Sequence, residues 1–200
     1  MIAIVDYGVG NLFSLNSSLE LIGAESVVTA DPRVLRSADK ILLPGVGAFE
    51  DAANKLRASG LDGFVRQQAA EGKPLVGICL GMQMLFEKSY EYGEHEGLGL
   101  LKGQVVPMAG KINPELKIPH MGWNALEVKQ GRLLADVDGQ YVYFVHSFFA
   151  EGCEESLSAV TEYDIPITAA VEQGNIFGCQ FPPEKSGNVG LSILRKFAQL

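Results

Sequence analysis

The feature that most constrains this chain is a short apolar run that ends in a Gly-x-Cys-x-Gly turn, residues 77–81. Residues 75–78 have the length and composition of a buried strand, and helical spacing begins at residue 81. A strand that turns sharply into a helix holds the middle residue of the turn in a strained, exposed position, as in a nucleophile elbow. The flanking glycines carry no Cβ, so such a turn can close tightly. The pattern predicts that Cys79 lies at the carboxyl end of a buried strand.

Strands and helices alternate through the first half of the sequence. Apolar runs at 2–5, 26–30, 41–43 and 75–78 alternate with helical patterns at 12–22, 48–58, 61–70 and 81–87. This alternation predicts an α/β fold with an open, mostly parallel sheet and helices on both faces. One domain over residues 1–200 is expected for this length.

The second half contains strands with little helix between them. Short apolar runs occur at 105–106, 125–128, 141–145, 157–161, 169–171 and 176–180, and a helical pattern covers 191–200. We expect an antiparallel or mixed extension of the sheet there. Residues 89–97 and 107–119 are the expected long loops.

Composition excludes several classes of protein. The chain has 16 basic and 24 acidic residues, a net charge of −8, and no run of Lys or Arg, which disfavours nucleic acids and anionic membranes as partners. No apolar stretch approaches the roughly 20 residues of a membrane span, and the first residues lack the basic segment of a signal peptide. Three widely spaced cysteines form neither a disulfide framework nor a zinc pattern. We expect a cytoplasmic protein without metal or cofactor.

Cys79 has two interpretations. As a nucleophile, its thiolate would be favoured by the positive end of the following helix, and the Leu80 N–H would point at a developing oxyanion. As a structural residue, it would be a small buried hydrophobe at a strand end. The two flanking glycines favour the nucleophile.

A second glycine-containing loop, residues 44–47, follows the third strand. It is not a dinucleotide-binding loop, because the third glycine of that fingerprint is replaced by Glu50, and the similar segment at 8–10 has Phe13 instead. Loops at the carboxyl ends of parallel strands line the same crevice, so this loop is expected beside Cys79. Its backbone is either a second oxyanion donor or an ordinary turn.

A cysteine nucleophile needs a base, usually a histidine oriented by a carboxylate. The chain has three histidines, and no local pattern marks any of them as a base. His95 lies in an acidic stretch expected to be a solvated loop, His120 in a Pro-His-Met-Gly-Trp-Asn segment, and His146 at the end of a strand.

Six motifs occur together in order, from the first strand to the last helix. They are Asp-Tyr-Gly-Val-Gly-Asn-Leu at 6–12, Pro-Gly-Val-Gly at 44–47, Gly-Ile-Cys-Leu-Gly-Met-Gln at 77–83, Pro-His-Met-Gly-Trp-Asn at 119–124, Tyr-Phe-Val-His-Ser at 143–147 and Pro-Glu-Lys-Ser-Gly at 183–187. With them the chain resembles the class I, triad-type glutamine amidotransferases, and among these the glutaminase subunits of imidazole glycerol phosphate synthase.

The resemblance implies a reaction and a partner. Cys79 would attack the side-chain amide of L-glutamine, a glutamyl thioester would form, and ammonia would pass to a (β/α)₈-barrel cyclase subunit in a heterodimer serving histidine biosynthesis.

The resemblance also implies residue roles. Oxyanion and substrate binding would fall to Gly45, Val46, Gly47, Leu80, Gln83, Ser147 and Phe148, and the cyclase would be faced by Asn11, His120, Met121, Trp123 and Asn124.

One position departs from the family pattern. The family reads Gln-Phe-His-Pro-Glu-Lys-Ser where this chain has Pro182 in place of the catalytic histidine. The triad carboxylate is retained as Glu184. Proline has no proton-accepting group and no N–H, so the general base is missing. His146 is a possible but disfavoured substitute.

Three functional hypotheses remain. The chain is a glutaminase subunit, or a catalytically impaired module that docks on the cyclase while free ammonia drives synthesis, or an unrelated cysteine hydrolase. The third leaves residues 120–124 unexplained.

Overall fold

A computed structural model describes all residues, 1–200. Strands and helices alternate in the first half of the chain. The fourteen strands are β1 Ile2–Val5, β2 Ser26–Thr29, β3 Lys40–Leu43, β4 Leu75–Ile78, β5 Lys88–Ser89, β6 His95–Glu96, β7 Gln104–Pro107, β8 His120–Ala125, β9 Glu127–Val128, β10 Tyr141–His146, β11 Phe148–Glu151, β12 Leu157–Tyr163, β13 Ile165–Gln173 and β14 Ile176–Cys179. The helices are α1 Leu12–Leu21, α2 Pro32–Ser37, α3 Phe49–Ala58, α4 Leu61–Ala70, α5 Leu80–Gln83 and α6 Gly187–Gln199, with a 3-10 helix at Pro183–Lys185.

The main sheet has eight strands in the order β2-β1-β3-β4-β14-β13-β12-β9. The first five are parallel to one another, and the last three continue the sheet with antiparallel pairings. The predicted α/β class with an antiparallel extension is therefore confirmed. Strand β4 lies between β3 and β14, so the carboxyl ends of these three strands meet at one place.

Helices cover both faces of this sheet, as the alternation predicts. Side chains of successive residues in one strand enter different apolar layers: Ala3 packs in the layer with α3 and α4, whereas Ile4 packs in the layer with α1 and α6. Both layers are fully buried at their centres. No helix combines the length and the apolar character needed to cross a membrane.

Several elements differ from the sequence predictions. The helix predicted over 81–87 is only α5, four residues long, because the carbonyls of Met84 and Phe86 accept hydrogen bonds from the N–H groups of Leu98 and Gly99. These bonds tie the chain to a neighbouring loop instead of extending the helix. The last helix begins at residue 187, four residues earlier than predicted, and the predicted loop 89–97 contains β6. Helix α2 and strand β11 were not predicted.

A close contact between α6 and the 3-10 helix fixes the segment that carries Glu184. A Cβ atom added to Gly190 would lie 1.8 Å from the carbonyl oxygen of Pro183, so only glycine permits this approach. The Ser186 hydroxyl donates to the Pro182 carbonyl at 2.9 Å and closes the same turn. The position of Glu184 therefore depends on backbone packing at residue 190.

Two helical glycines provide a matched test of this contact. We expect Gly190→Ala to lower the free energy of unfolding by roughly 1–3 kcal/mol, because the added methyl group overpacks the α6 contact. Gly63→Ala, in the middle of α4 where a Cβ meets nothing within 4 Å, should instead raise it by about 1 kcal/mol. Urea denaturation measures both changes, and equal effects at the two positions would contradict the packing argument.

Candidate active site

Cys79 occupies the predicted elbow between β4 and α5. Its backbone has φ 54° and ψ −114°, a left-handed conformation that is strained for a non-glycine residue. The Cys79 N–H donates to the Cys179 carbonyl at 2.7 Å, so the pairing of β4 with β14 continues up to the elbow. The thiol is free and its residue is partly exposed, whereas Cys153 and Cys179 are buried. These features match the nucleophile interpretation of Cys79.

The glycines around Cys79 allow three backbone segments to touch. A Cβ on Gly77 would lie 2.6 Å from the Gly81 carbonyl oxygen, and a Cβ on Gly81 would lie 2.0 Å from the Leu43 carbonyl oxygen. Gly45 has the same constraint, since its Cβ would lie 2.5 Å from the Gly81 nitrogen. The loop after β3 is therefore held directly against the elbow.

A cavity of about 390 Å³ opens beside the thiol. It brings together residues from five separate parts of the sequence, including most of those predicted to bind substrate. The predicted residues that line it are Val46, Gly47, Cys79, Leu80, Gln83, Ser147 and Phe148. Gly45, also predicted to bind substrate, is absent from the lining, because it is buried against the elbow backbone.

The same cavity contains residues that the sequence analysis missed. Glu91 and Tyr92 line it from the loop after β5. The Phe49 N–H donates to Glu91 Oε2 at 2.7 Å, and burial raises the pKa of Glu91. Tyr92 has a φ of 55° and sets its ring edge against Phe148, with 6.0 Å between ring centres. No local pattern in the sequence marks either residue.

Gln180 is a third missed residue, and it connects the cavity wall to the thiol. The Gln83 side chain donates from Nε2 to the Phe148 carbonyl at 3.1 Å and to Gln180 Oε1 at 3.0 Å. Gln180 Nε2 in turn lies 3.9 Å from the Cys79 sulfur. A signal was available, because Gln180 follows β14 directly, at the same edge of the sheet as Cys79.

Pro182 is buried, and the carboxylate beyond it lacks a partner. Glu184 Oε2 is buried and accepts no hydrogen bond, and burial raises the pKa of Glu184. A triad carboxylate normally accepts a hydrogen bond from the catalytic imidazole. Pro182 has no group to donate one, so the orphaned oxygen fits a missing histidine at residue 182.

The Cys79 thiol is not activated, contrary to the expectation that the helix terminus would favour the thiolate. Burial raises its pKa to about 11, and the Glu184 carboxylate raises it further, while the Leu80 N–H and Lys185 lower it. Helix α5 has only four residues, too few aligned peptide groups to offset desolvation. Without an imidazolium nearby, the thiol form prevails at neutral pH.

His146 lines the cavity, but both of its ring nitrogens are engaged elsewhere. Nδ1 lies 2.8 Å from the Phe148 carbonyl oxygen, and Nε2 lies 3.1 Å from Nδ1 of His120. Burial lowers the pKa of His146 to about 4. These contacts disfavour His146 as a substitute base. His95, expected in a solvated loop, instead lies partly buried in β6.

Side chains of successive residues in β8 point to opposite sides, so only some of the residues predicted to face a partner are exposed. Met121 and Trp123 of β8 are 60% and 54% exposed. The prediction for His120 is wrong, because that side chain is 1% exposed and points inward. Asn124 is partly buried and its amide bonds His120 and the Glu162 carbonyl, while Asn11 is partly buried at the start of α1.

Comparisons with known proteins give one consistent family. Residues 3–199 match the family model of class I glutamine amidotransferases. The chain is 50% identical to imidazole glycerol phosphate synthase subunit HisH of Bacillus licheniformis, over 100% of this chain and 96% of that protein. It is 48% identical to the subunit of the same name from Geobacillus thermodenitrificans, over 98% and 94% of the two chains.

Solved structures share the fold at lower identity. A crystal structure of a glutamine amidotransferase superposes with a TM-score of 0.78 at 21% identity and covers 100% of both chains. The structure of PurLQS from Thermotoga maritima gives a TM-score of 0.73 at 20% identity, over 99% of this chain and 97% of that one.

The raised pKa of Cys79 predicts a specific pH dependence of alkylation. Because the thiolate is the reacting form, the rate of iodoacetamide labelling at Cys79 should rise about tenfold per pH unit from pH 7.5, without a plateau below pH 10. Glu184→Gln removes a repelling carboxylate and should speed labelling at pH 8, whereas Glu155→Gln, on the exposed surface, should not. Mass spectrometry locates the label, and a plateau below pH 9 would contradict the assignment.

Proposed function

The chain belongs to the class I glutamine amidotransferases, within them to the HisH subunits of imidazole glycerol phosphate synthase, and on this premise we propose that it cleaves glutamine at Cys79 for a cyclase partner. The observation that carries the proposal is the strained Cys79 elbow opening into a cavity lined from five parts of the chain. The size of the cavity suits a ligand as small as an amino acid.

The cavity offers a complementary group for each end of glutamine. Glu91 is a carboxylate whose Oε1 is left free by the Phe49 hydrogen bond, and it would attract the α-ammonium of the substrate. The side-chain amide would lie at Cys79, within reach of the Leu80 N–H. The loop at Val46 and Gly47 would supply a second N–H to the oxyanion. Gln83, fixed by the Phe148 carbonyl and by Gln180, would form the wall between these ends.

The proton balance shows where Pro182 limits the reaction. Attack of the Cys79 sulfur on the amide carbon forms a C–S bond, and collapse breaks the C–N bond to release NH₃. The leaving nitrogen must gain one proton, which in a triad the imidazole carries from the thiol. Water then attacks the thioester and releases glutamate. With Pro182, no imidazole carries the proton in either step, so water must do so.

The partner that we propose is a (β/α)₈-barrel cyclase bound in a heterodimer over the cavity mouth. Met121 pairs with Val145 across the β8–β10 ribbon, and Val145 lines the cavity. Trp123, exposed on the same ribbon, has its ring 6.0 Å from that of Tyr143. An apolar surface continuous with the cavity suits direct transfer of ammonia, which would otherwise be lost to solvent. Three free thiols fit a reducing cytoplasm as the setting we propose.

Restoring the histidine tests the role of residue 182. Pro182→His should raise glutamine-dependent synthesis in the complex by roughly 10²–10⁴-fold, the usual contribution of a positioned base, and leave ammonia-dependent synthesis unchanged. The control is Cys79→Ser in the same background, which should abolish the glutamine-dependent rate and keep complex formation. If the unaltered chain already matches the histidine variant, residue 182 is not the base position. If ammonia but never glutamine drives synthesis in both, the chain is a docking module.

Trp123 tests the partner surface. Trp123→Ala should weaken cyclase binding by about 2 kcal/mol, because a large exposed aromatic in an interface commonly contributes that much, with little change in the melting temperature of the isolated chain. Leu21→Ala is the matched control, since Leu21 is 73% exposed at the far end of α1, away from the cavity. Calorimetric titration with the cyclase measures both. A large loss of stability with unchanged affinity would show that Trp123 has a structural role only.

A further inference from the structure

Two buried histidines form part of a hydrogen-bonded chain that ends in a backbone carbonyl at each side. This row of hydrogen bonds has four links. From the cavity outward, the first two join the Phe148 carbonyl to His146 at 2.8 Å and His146 to His120 at 3.1 Å. The other two join His120 to Asn124 Oδ1 at 2.9 Å and Asn124 Nδ2 to the Glu162 carbonyl at 3.1 Å. Both rings are at least 94% buried, so water does not replace these partners.

The number of available protons is one fewer than the number of links. Each of the four links needs one proton between its two atoms. A neutral histidine carries one ring proton, so the two rings supply two. The Asn124 amide supplies one more, whichever way it is turned, because only its nitrogen side donates. Three protons for four links leave two acceptors facing each other in every neutral arrangement.

One extra proton on the two rings supplies a proton to all four links. It makes one ring an imidazolium, so that His146 donates to the Phe148 carbonyl, one proton lies between the rings, and His120 donates to Asn124. The surroundings also suit a cation. The His120 ring is stacked between Tyr163, at 4.1 Å between centres, and Phe144, at 4.9 Å. Aromatic faces attract a positive charge, the more so when water is excluded.

We propose that His120 and His146 bind one proton as a single unit, and that this proton holds the Phe148 carbonyl in place in the wall of the glutamine cavity. A neutral pair leaves one of the four links without a proton, and in one of its arrangements that link is the one to Phe148, whereas the protonated pair fills the Phe148 link in all of them. The same Phe148 carbonyl accepts the Gln83 side chain, so its placement sets the wall beside Cys79. This role rests on the proposed function, whereas the count of protons does not. Both residues are positioning residues, since neither needs to touch glutamine.

Burial opposes the charge and sets the pH at which it enters. Desolvation lowers the pKa of both histidines, so the proton is taken up on the acid side of neutrality. Few other ionisable groups lie near the pair. Tyr163 from β12 donates its hydroxyl to the Lys117 carbonyl, Glu162 offers only its backbone, and Cys79, Glu91 and Tyr92 share the cavity with His146. A neutral Cys79 thiol adds no charge to this group.

Nitrogen NMR of the histidine rings counts the protons directly. In the protein labelled with ¹⁵N-histidine, we expect the His120 and His146 rings to carry three N–H protons between them at pH 5.5. The signals of both rings should move together as the pH rises. His95→Gln identifies the remaining ring signals and is the control, because His95 lies outside the pair. Two ring protons at pH 5.5, or four, would overturn the proposal.

A second variant separates positioning from packing. His120→Phe keeps an aromatic ring between Phe144 and Tyr163 but removes both nitrogens. The Phe148 carbonyl is then the one partner left for the His146 ring proton, so a neutral His146 fills that link at every pH. In the unaltered chain, the dissociation constant for glutamine should tighten by up to about fivefold from pH 8 to pH 5, as one added hydrogen bond allows. In His120→Phe that pH dependence should vanish, while His95→Gln keeps it. An unchanged pH dependence in His120→Phe would overturn the positioning role.

The same measurements distinguish the two proposals. If three ring protons are present but glutamine does not bind at any pH, the proposed function fails and the shared proton stands. If glutamine binds with no pH dependence between pH 5 and 8, the positioning role fails and the proposed function stands.

Discussion

The site depends on one constraint, the direct contact of backbone with backbone at the carboxyl ends of β3 and β4. Gly77, Gly81 and Gly45 each lie where a Cβ would come within 2.6 Å of a neighbouring main-chain atom. Because these three residues have no side chain, the loop after β3 can close onto the elbow. The contact holds Cys79 in its positive-φ conformation. The cavity beside the Cys79 thiol opens at that contact.

Topology then determines which distant residues meet Cys79. Because β14 pairs in parallel with β4, the segment from Gln180 to Glu184 leaves the sheet at the same edge as the elbow. The proposed nucleophile and its proposed carboxylate are separated by about half the chain, and a single strand pairing brings them to one place. The pairing does not depend on the side chains of the segment. It therefore brings Pro182 to the proposed base position, as it would bring a histidine.

The sequence predicted the parts that repeat a local pattern. The parallel strands, the elbow and most of the cavity lining follow from short apolar runs and from glycines at strand ends. Helix α5 was predicted too long, because its end is decided by hydrogen bonds from Leu98 and Gly99, which are distant in sequence. Glu91 was missed because its importance comes from the cavity it lines, and Gln180 because its importance comes from its hydrogen bond to Gln83 in the cavity wall. His120 was placed on the partner surface because the motif that contains it was considered without the alternation of β8, which turns Met121 and Trp123 outward and His120 inward.

In the proposed active site, the absence of an imidazole reverses the electrostatic role expected of Glu184. In a complete triad, a carboxylate stabilises the imidazolium that forms as the thiol gives up its proton, and so it favours the thiolate indirectly. With Pro182 between them, the same carboxylate has no cation to stabilise, and its charge acts on the sulfur directly. Its repulsion adds to burial and raises the pKa of Cys79. The presence of the acid is therefore no evidence of an active triad, since its contribution changes sign with the residue two positions before it. The same reasoning accounts for the unpartnered oxygen of Glu184, since in the proposed triad that oxygen would accept a hydrogen bond from the absent imidazole.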